Sequence, residues 1–143
     1  GVARTVEEIE IEIPAGIQNG EMIRMTGRGE AVPNGAAGDL YIKIHVKGHK
    51  SIVRDGANLQ SDLHVKLSDA LLGNTYKVET LDSSVDIKIP AGVKHGELLR
   101  IKGKGVPQGS SRGDFMVKIQ IDLPQKLSRK AKKLIEELKQ EGI

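Results

Sequence analysis

The residue types that could perform catalysis are few and poorly spaced in this sequence. His45 and His49 lie four residues apart, but the alternation through Val46 predicts a strand, so the two imidazoles are not expected to share a metal ion. His49, Ser51 and Asp55 supply the residue types of a catalytic triad without the Gly-x-Ser-x-Gly turn that exposes a nucleophile. The absence of cysteine excludes a thiol nucleophile and a cysteine-bound zinc within this chain. We therefore predict that the chain is not an enzyme and holds no cofactor.

Two glycine pairs, Gly27-Arg28-Gly29 and Gly103-Lys104-Gly105, are similar to the start of a phosphate-binding loop. Both lack the third glycine of that fingerprint, and neither precedes a predicted helix whose N-terminus could hold a phosphate. Glycine is also the residue that a backbone with positive φ requires. We interpret both pairs as structural bends at the ends of strands.

The composition removes further classes of function. The chain has 143 residues and a formal net charge of +3, with the two signs of charge interspersed as on an ordinary solvated surface. Two tyrosines and one phenylalanine leave little for stacking on nucleic-acid bases. No run of about 18 apolar residues is present to cross a membrane. A binding or structural role remains.

The sequence contains an internal repeat. Residues 11–29 match residues 87–105 at a constant offset of 76 positions, and both blocks contain Ile-Pro-Ala-Gly followed by a glycine pair. After a loop that is one residue shorter in the second copy, residues 38–44 match residues 113–119. The chain therefore carries two tandem copies of one supersecondary unit.

Each copy is predicted to form antiparallel β structure. In the first copy, isoleucines alternate with glutamates within 6–13, which is typical of a half-buried strand, and Pro14 ends the pattern. Ile23 and Met25 alternate with polar residues in the returning strand, and a third strand is predicted over 40–46. The remaining alternating stretches lie at 59–67, 75–80, 85–89, 99–101 and 115–121.

Only the C-terminal end is predicted to be helical. Ser128 is a suitable N-cap, Gly142 is a suitable C-cap, and apolar residues between them recur at spacings of three and four. Four cations within 129–133 oppose the helix dipole, at a cost of roughly 0.3–1 kcal/mol each. Either solvent screens these charges or an acidic partner offsets them.

Two interpretations of the aliphatic residues remain open at this point. Ile23, Met25, Ile42 and Ile52 could line a groove that accepts an extended peptide as an added strand, with main-chain hydrogen bonds for affinity and apolar pockets for side chains. Aliphatic and methionine surfaces adapt to varied partners. The same residues could instead be ordinary core.

A series of motifs runs along the chain in fixed order. In the first half these are Ile13-Pro-Ala-Gly16 with the glycine pair, Gly38-Asp39-Leu40-Tyr41, and His49-Lys-Ser-Ile-Val-Arg-Asp-Gly56. In the second half they are Asp69-Ala-Leu-Leu-Gly73, Thr80-Leu-Asp82, Ile89-Pro-Ala-Gly92, Leu99 to Pro107, and Gly113-Asp114. The ordered set resembles the C-terminal region of DnaJ-type co-chaperones from about Val6 to Gly142, and it is specific as a set although each motif alone is weak.

That resemblance implies two β-sandwich-like subdomains in tandem, the first with an apolar groove for unfolded or extended client segments. In the family, strand addition holds the client, which then passes to a DnaK-type ATPase chaperone. The predicted groove residues are Ile23, Met25, Ile42 and Ile52. Ile52 occupies the place where the family's His-x-x-Phe-x-Arg-Asp-Gly motif usually has an aromatic residue, so the pocket stays apolar but loses a large flat surface.

Some parts of the family are not found in the sequence. No His-Pro-Asp triplet and no Cys-x-x-Cys pair occur, so neither the J-domain nor the zinc module lies in this chain. Residues 1–6 resemble the stretch that follows the last zinc ligands. We therefore expect an excised piece of a longer cytoplasmic protein, with zinc in an upstream module and homodimerisation through its extreme C-terminus. The acidic tail of the partner chaperone is expected at Lys43, Lys47 and Lys50.

The predicted organisation is a mainly β fold of two tandem β-sandwich-like subdomains plus one C-terminal α-helix. We predict a first subdomain over 1–53, incomplete and with an exposed edge unless another segment covers it, a second over 54–124, and the helical segment over 125–143. The predicted function is a co-chaperone module that binds unfolded clients and acts in protein folding and the stress response. As a piece, the chain is compatible with a monomer. The alternative is a structural or assembly β domain that mediates oligomerisation.

Overall fold

The chain is mainly β, with a helix at the C-terminus, as predicted. The computed structural model describes Val6 and residues 8–30, 35–49 and 51–143. The helices are α1 (Leu67–Leu72) and α2 (Arg129–Gln140). The strands are β1 (Met22–Met25), β2 (Leu40–Lys43), β3 (Ile52–Asp55), β4 (Asn58–Lys66), β5 (Asn74–Glu79), β6 (Ser84–Ile89), β7 (Leu98–Ile101), β8 (Pro107–Gln108), β9 (Ser111–Arg112) and β10 (Phe115–Asp122).

The described strands form one four-stranded sheet and three two-stranded sheets. The pairs β1–β2, β5–β6 and β8–β9 are antiparallel, and the larger sheet has the order β3-β4-β10-β7. In the repeat, β1 corresponds to β7 and β2 corresponds to β10, so both copies form the same strand pair. In the second copy, β10 also pairs with β4.

The chain divides into two compact units. One unit comprises residues within 1–61 and 100–116, and the other comprises residues within 62–99 and 117–143. Each unit takes its residues from two separate stretches of the sequence. The subdomain boundaries predicted at 53/54 and 124/125 stay a prediction.

Three of the five largest fully buried side chains lie on β10, and the other two lie at the end of β6 and on β4. Phe115, Val117 and Ile119 alternate along β10 with partly exposed neighbours, because successive side chains of a strand point to opposite faces. Ile89, the last residue of β6, is also fully buried. Each of these side chains contributes roughly 1.5–3 kcal/mol of hydrophobic stabilisation.

No strand forms over residues 8–13, where the alternating isoleucines predicted one. The counterpart of this stretch is β6, whose main chain is bonded along its length to β5. At the offset of 76, β5 corresponds to positions no later than residue 3, which lie outside the described residues. A strand requires a partner for its main-chain donors and acceptors, so alternation alone does not create one.

The short helix α1 was not predicted, because six residues are too few to display helical periodicity. The N–H of Gly73 donates to the Asp69 carbonyl oxygen at 2.7 Å and ends the helix, with Gly73 at a φ of 86°. The Asp69 carboxylate accepts hydrogen bonds from the Tyr76 hydroxyl and from Asn74 Nδ2, at 2.9 Å for the latter. These two bonds lower the pKa of Asp69, and they fix α1 to the start of β5.

The C-terminal helix α2 has the N-cap expected from the sequence. Ser128 Oγ accepts a hydrogen bond from the N–H of Ala131 at 3.0 Å. At the other end, Gly142 follows the cap residue at a φ of 88°, and the N–H groups of Gly142 and Ile143 donate to the carbonyl oxygens of Lys139 and Leu138. Three apolar side chains of the helix remain 42–50% exposed, namely Leu134, Ile135 and Leu138.

Candidate functional site

The glycine pair and the Gly-Asp motif of the first copy form one structural unit. Asp39 Oδ1 accepts a hydrogen bond from the N–H of Gly27 at 3.0 Å, and Asp39 Oδ2 accepts from Arg24 Nε at 2.7 Å. The N–H of Gly29 donates to the Gly38 carbonyl oxygen at 2.7 Å. These bonds join the end of β1 to the start of β2.

The second copy builds the same unit from the equivalent residues. Asp114 Oδ1 accepts a hydrogen bond from the N–H of Gly103 at 2.9 Å, and Asp114 Oδ2 lies 3.6 Å from Arg100 Nε. The N–H of Gly105 donates to the Gly113 carbonyl oxygen at 2.8 Å. The sequence repeat is therefore also a repeat of hydrogen bonds.

Geometry explains the glycine pairs. Gly27 and Gly103 have φ angles of 74° and 73°, in the left-handed region that side chains with a Cβ disfavour. A Cβ at Gly29 would lie 2.5 Å from the Asp39 carbonyl oxygen. The interpretation of the pairs as bends at strand ends is confirmed.

Three of the four predicted groove residues lie on one face of the β1–β2 sheet. Ile23 is directly opposite Ile42, and Met25 is opposite Leu40. All four side chains are half-buried, whereas Met22, on the other face of β1, is 56% exposed. Because side chains on a strand alternate between faces, this pairing creates a continuous aliphatic surface.

The β10 half of the corresponding surface in the second copy is fully buried, whereas Leu99 and Ile101 of β7, the counterparts of Ile23 and Met25, are half-buried as in the first copy. Leu40 and Ile42 correspond to Phe115 and Val117, which are fully buried. In the second copy β10 has strands on both sides, β4 and β7, whereas among the described residues β2 pairs only with β1. The first copy therefore leaves half-buried two β2 positions, Leu40 and Ile42, whose counterparts in the second copy are fully buried.

The fourth predicted groove residue, Ile52, belongs to a different sheet. It begins β3, where it lies opposite Ser61 of β4. Ile52 and Arg54 are half-buried and share one face of β3, while Val53 on the other face is 69% exposed. The backbone thus does not place Ile52 in the β1–β2 sheet.

Arg54 connects β3 to the turn that precedes β1, and sequence reasoning did not single it out. Its Nη1 and Nη2 donate to the carbonyl oxygens of Ile17 and Gly16 at 3.0 and 2.6 Å, and its Nε donates to the Gly56 carbonyl oxygen at 2.7 Å. The signal in the sequence was its position two residues after Ile52, which puts a cation on the inward face of a strand.

Comparison with known proteins identifies the family. The model of the DnaJ C terminal domain matches residues 2–124. The chain belongs to the DnaJ C-terminal domain family. It is 42% identical over 141 residues to the chaperone protein DnaJ of Clostridioides difficile (strain 630). That alignment covers 96% of the chain but 37% of the relative, so the chain spans little more than a third of that protein's length. Membership supports a co-chaperone role.

Of the three lysines predicted for the partner tail of this DnaJ C-terminal domain, the structure describes Lys43 and Lys47. Lys43 ends β2 on the exposed face, opposite to the face that carries Ile42. Lys47 is exposed in the following loop. Lys50 lies outside the described residues.

His49, one member of the triad considered in the sequence, makes a local hydrogen bond. His49 Nδ1 accepts a hydrogen bond from the N–H of Ser51 at 3.0 Å, so that nitrogen is bonded to the main chain and not to a serine hydroxyl.

Among residues 8–30, 35–49 and 51–143 with Val6, no group of three His, Cys, Asp or Glu side chains could hold a metal ion. None of the described helices combines the length and the apolarity needed to cross a membrane.

One histidine forms an ion pair on the surface. His64 Nδ1 lies 2.7 Å from Asp122 Oδ1, and both side chains are more than half exposed. The hydrogen bond to Asp122, supported by the charge of that carboxylate, raises the pKa of His64 above 6.5. The pair links β4 to the end of β10.

Proposed function

We propose that this domain binds unfolded or extended apolar polypeptides by strand addition in an aliphatic groove and presents them to a DnaK-type ATPase chaperone. The observation that carries the proposal is the half-buried face formed by Ile23, Met25 and Ile42, whose β2 positions correspond to fully buried residues in the second copy. An aliphatic face beside strand edges has both components that strand addition needs, main-chain partners and side-chain pockets.

The expected affinity is weak. Each aliphatic side chain of a client that becomes fully buried contributes roughly 1.5–3 kcal/mol. Association and ordering of a flexible chain oppose this gain by several kcal/mol, so dissociation constants in about the micromolar range are expected. Weak binding suits a module that must release its client.

Ile52 is proposed as the fourth groove residue. It is half-buried on the face of β3 that also carries Arg54, whose side chain reaches the segment leading into β1. An isoleucine at a place where the family usually has an aromatic residue favours clients with aliphatic over large flat side chains, because shape complementarity decides such contacts.

The setting of this module in a longer protein is also proposed. It includes a zinc module upstream, homodimerisation, a cytoplasmic location and no catalytic activity. The acidic tail of the DnaK-type partner is proposed to contact Lys43, Lys47 and Lys50. The division into 1–53, 54–124 and 125–143 belongs to the same proposal.

A titration with a fluorescently labelled, extended peptide rich in leucine and isoleucine tests the groove. Met25→Asp and Ile52→Asp place a carboxylate among aliphatic side chains, so we expect each to weaken binding about tenfold or more. Fluorescence anisotropy at constant ionic strength gives the dissociation constants.

The matched controls are Met22→Asp and Val53→Asp. Each changes a side chain on the same strand but on the exposed face, at 56% and 69% exposure, and is expected to leave peptide affinity within about twofold of the original. Unchanged affinity in both groove variants would contradict the assignment of the groove.

A structural or assembly role is the second candidate. The exposed apolar side chains of α2, including Leu134, Ile135 and Leu138, favour it because such a face is typically covered by another chain. Sedimentation velocity with and without peptide separates the two candidates. An oligomer that forms without peptide and cannot bind it would favour assembly.

A further inference from the structure

The side chain of Arg54 acts as a clamp between two distant parts of the chain. Its three hydrogen bonds, to Gly16, Ile17 and Gly56, all go to main-chain carbonyl oxygens, and two of these acceptors lie 37 and 38 residues earlier in the sequence. No carboxylate pairs with this guanidinium among the described residues. Its rigid planar arrangement of donors suits several carbonyl groups at once, which a lysine ammonium on a flexible stem cannot reproduce.

The clamp acts on the face of β3 that carries Ile52. Ile52 and Arg54 are two residues apart and half-buried, so both side chains project from the same face. The turn at Gly16 and Ile17 therefore lies over that face. The chain enters β1 five residues after Ile17, so the turn belongs to the segment that leads into the β1–β2 sheet.

The second copy holds its equivalent turn differently. There the N–H of Gly92 donates to the Ala70 carbonyl oxygen of α1 at 2.8 Å, a bond between main-chain groups. Gly92 corresponds to Gly16. The turn of the first copy is thus held by hydrogen bonds from the Arg54 side chain, whereas the turn of the second copy is held by a hydrogen bond between main-chain groups.

We propose that Arg54 is the positioning residue of the client groove, setting Ile52 against the aliphatic face of the β1–β2 sheet by clamping the turn at Gly16 and Ile17. The proposal rests on the proposed function, because the effect that it predicts is a change in client affinity. Arg54 itself need not touch the client.

The experiment uses the complete chain, a labelled leucine- and isoleucine-rich peptide, and methyl NMR of isoleucine. Arg54→Lys keeps the charge but loses the fork of donors. We expect about fivefold weaker binding, measured well below the melting transition, because two or more hydrogen bonds that fix the turn are lost. The methyl resonances of Ile17, Ile23 and Ile52 are expected to shift even without peptide.

The control variant is Arg112→Lys, because Arg112 Nε also donates to a main-chain carbonyl oxygen, that of Gly105, at 2.8 Å. We expect it to leave peptide affinity and the three methyl resonances unchanged. Arg54→Met gives a second, larger perturbation, and if that variant does not fold, Arg54→Lys decides.

The outcomes separate the clamp from the function. If the original chain binds peptide and Arg54→Lys binds equally well, the proposal is overturned. If the original chain does not bind peptide, the proposed function fails, and the methyl resonances decide the clamp alone. Shifts of Ile23 and Ile52 then support the positioning role, whereas unshifted resonances overturn it.

Discussion

The two copies of the repeat share the hydrogen bonds that join the glycine pair to the Gly-Asp motif, which we call the frame. They differ in how far the strands around this frame bury its aliphatic side chains. Asp39 and Asp114 hold their glycine loops with bonds of 3.0 and 2.9 Å, and their side chains are 21% and 24% exposed. The aliphatic positions differ instead, since Ile13 is 57% exposed and its counterpart Ile89 is fully buried. The frame thus follows from residues inside each copy, whereas burial depends on neighbouring strands.

The two turns after the Ile-Pro-Ala-Gly motifs differ in the same way. At Gly92 an added Cβ would meet nothing within 4 Å, but at Gly16 it would lie 2.0 Å from the Pro107 carbonyl oxygen. Arg54 adds its bonds to the first turn alone. The first copy therefore holds its turn by close packing and a side chain, the second by main chain.

The largest expected effect is a contrast in core stability. Ile89→Ala removes a fully buried side chain and should lower the free energy of unfolding by about 2–5 kcal/mol. Ile13→Ala, at the equivalent position, should lower it by less than about 1 kcal/mol because that side chain is mostly solvated. Urea denaturation followed by circular dichroism measures both free energies of unfolding. Equal losses in the two variants would contradict the difference in burial between the two positions.

The turns provide the next contrast. Gly92→Ala places a Cβ at a φ of 80° and should destabilise by about 1–2 kcal/mol. Gly16→Ala has the same strain plus the clash with the Pro107 oxygen, so about 2–4 kcal/mol is expected. Thermal unfolding of both variants tests this, and a smaller effect at Gly16 would contradict the close approach.

The shared frame predicts similarity instead of difference. Asp39→Ala and Asp114→Ala each leave a loop N–H without its carboxylate, at a cost of about 1–3 kcal/mol. The two losses should agree within about 1 kcal/mol because the loop hydrogen bond and the exposure of the carboxylate are similar in the two copies. Chemical denaturation of the pair checks this, and a loss confined to one copy would show that the frames are not equivalent.

The smallest effect is a pH dependence at the ion pair between His64 of β4 and Asp122 of β10. Asp122 raises the pKa of His64 in the folded chain, so this stabilisation is complete below pH 6.5 and is lost as the pH rises through the folded-state pKa. At the position that corresponds to Asp122, the first copy has Lys47. NMR titration of His64 should show a raised pKa that returns toward 6.5 in Asp122→Asn, and an unchanged value would contradict the pairing.

Much of the fold could be predicted because its signals are local. Alternation located β1, β2, β4, β5, β6, β7 and β10, and Ser128 located the start of α2, whereas the short strands β3, β8 and β9 were not predicted. Residues 8–13 could not be predicted, since their alternation does not reveal whether a partner strand is present. The six residues of α1 were too short for a periodic pattern.

The site was less predictable than the fold. Strand periodicity placed Ile23, Met25 and Ile42 on one face, because that depends only on alternation and pairing. The role of Arg54 depends on acceptors at Gly16 and Ile17, and long-range contacts of this kind leave no regular spacing in the sequence.

The central claim is that an extended client occupies the aliphatic face of the first copy. Isoleucine-methyl NMR of the complete chain, titrated with an unlabelled leucine- and isoleucine-rich peptide, tests it most directly. The account predicts shifts at Ile23, Ile42 and Ile52 that saturate together, with Ile89 and Ile119 unaffected. Shifts confined to Ile89 and Ile119, or none at any of the five, would contradict it.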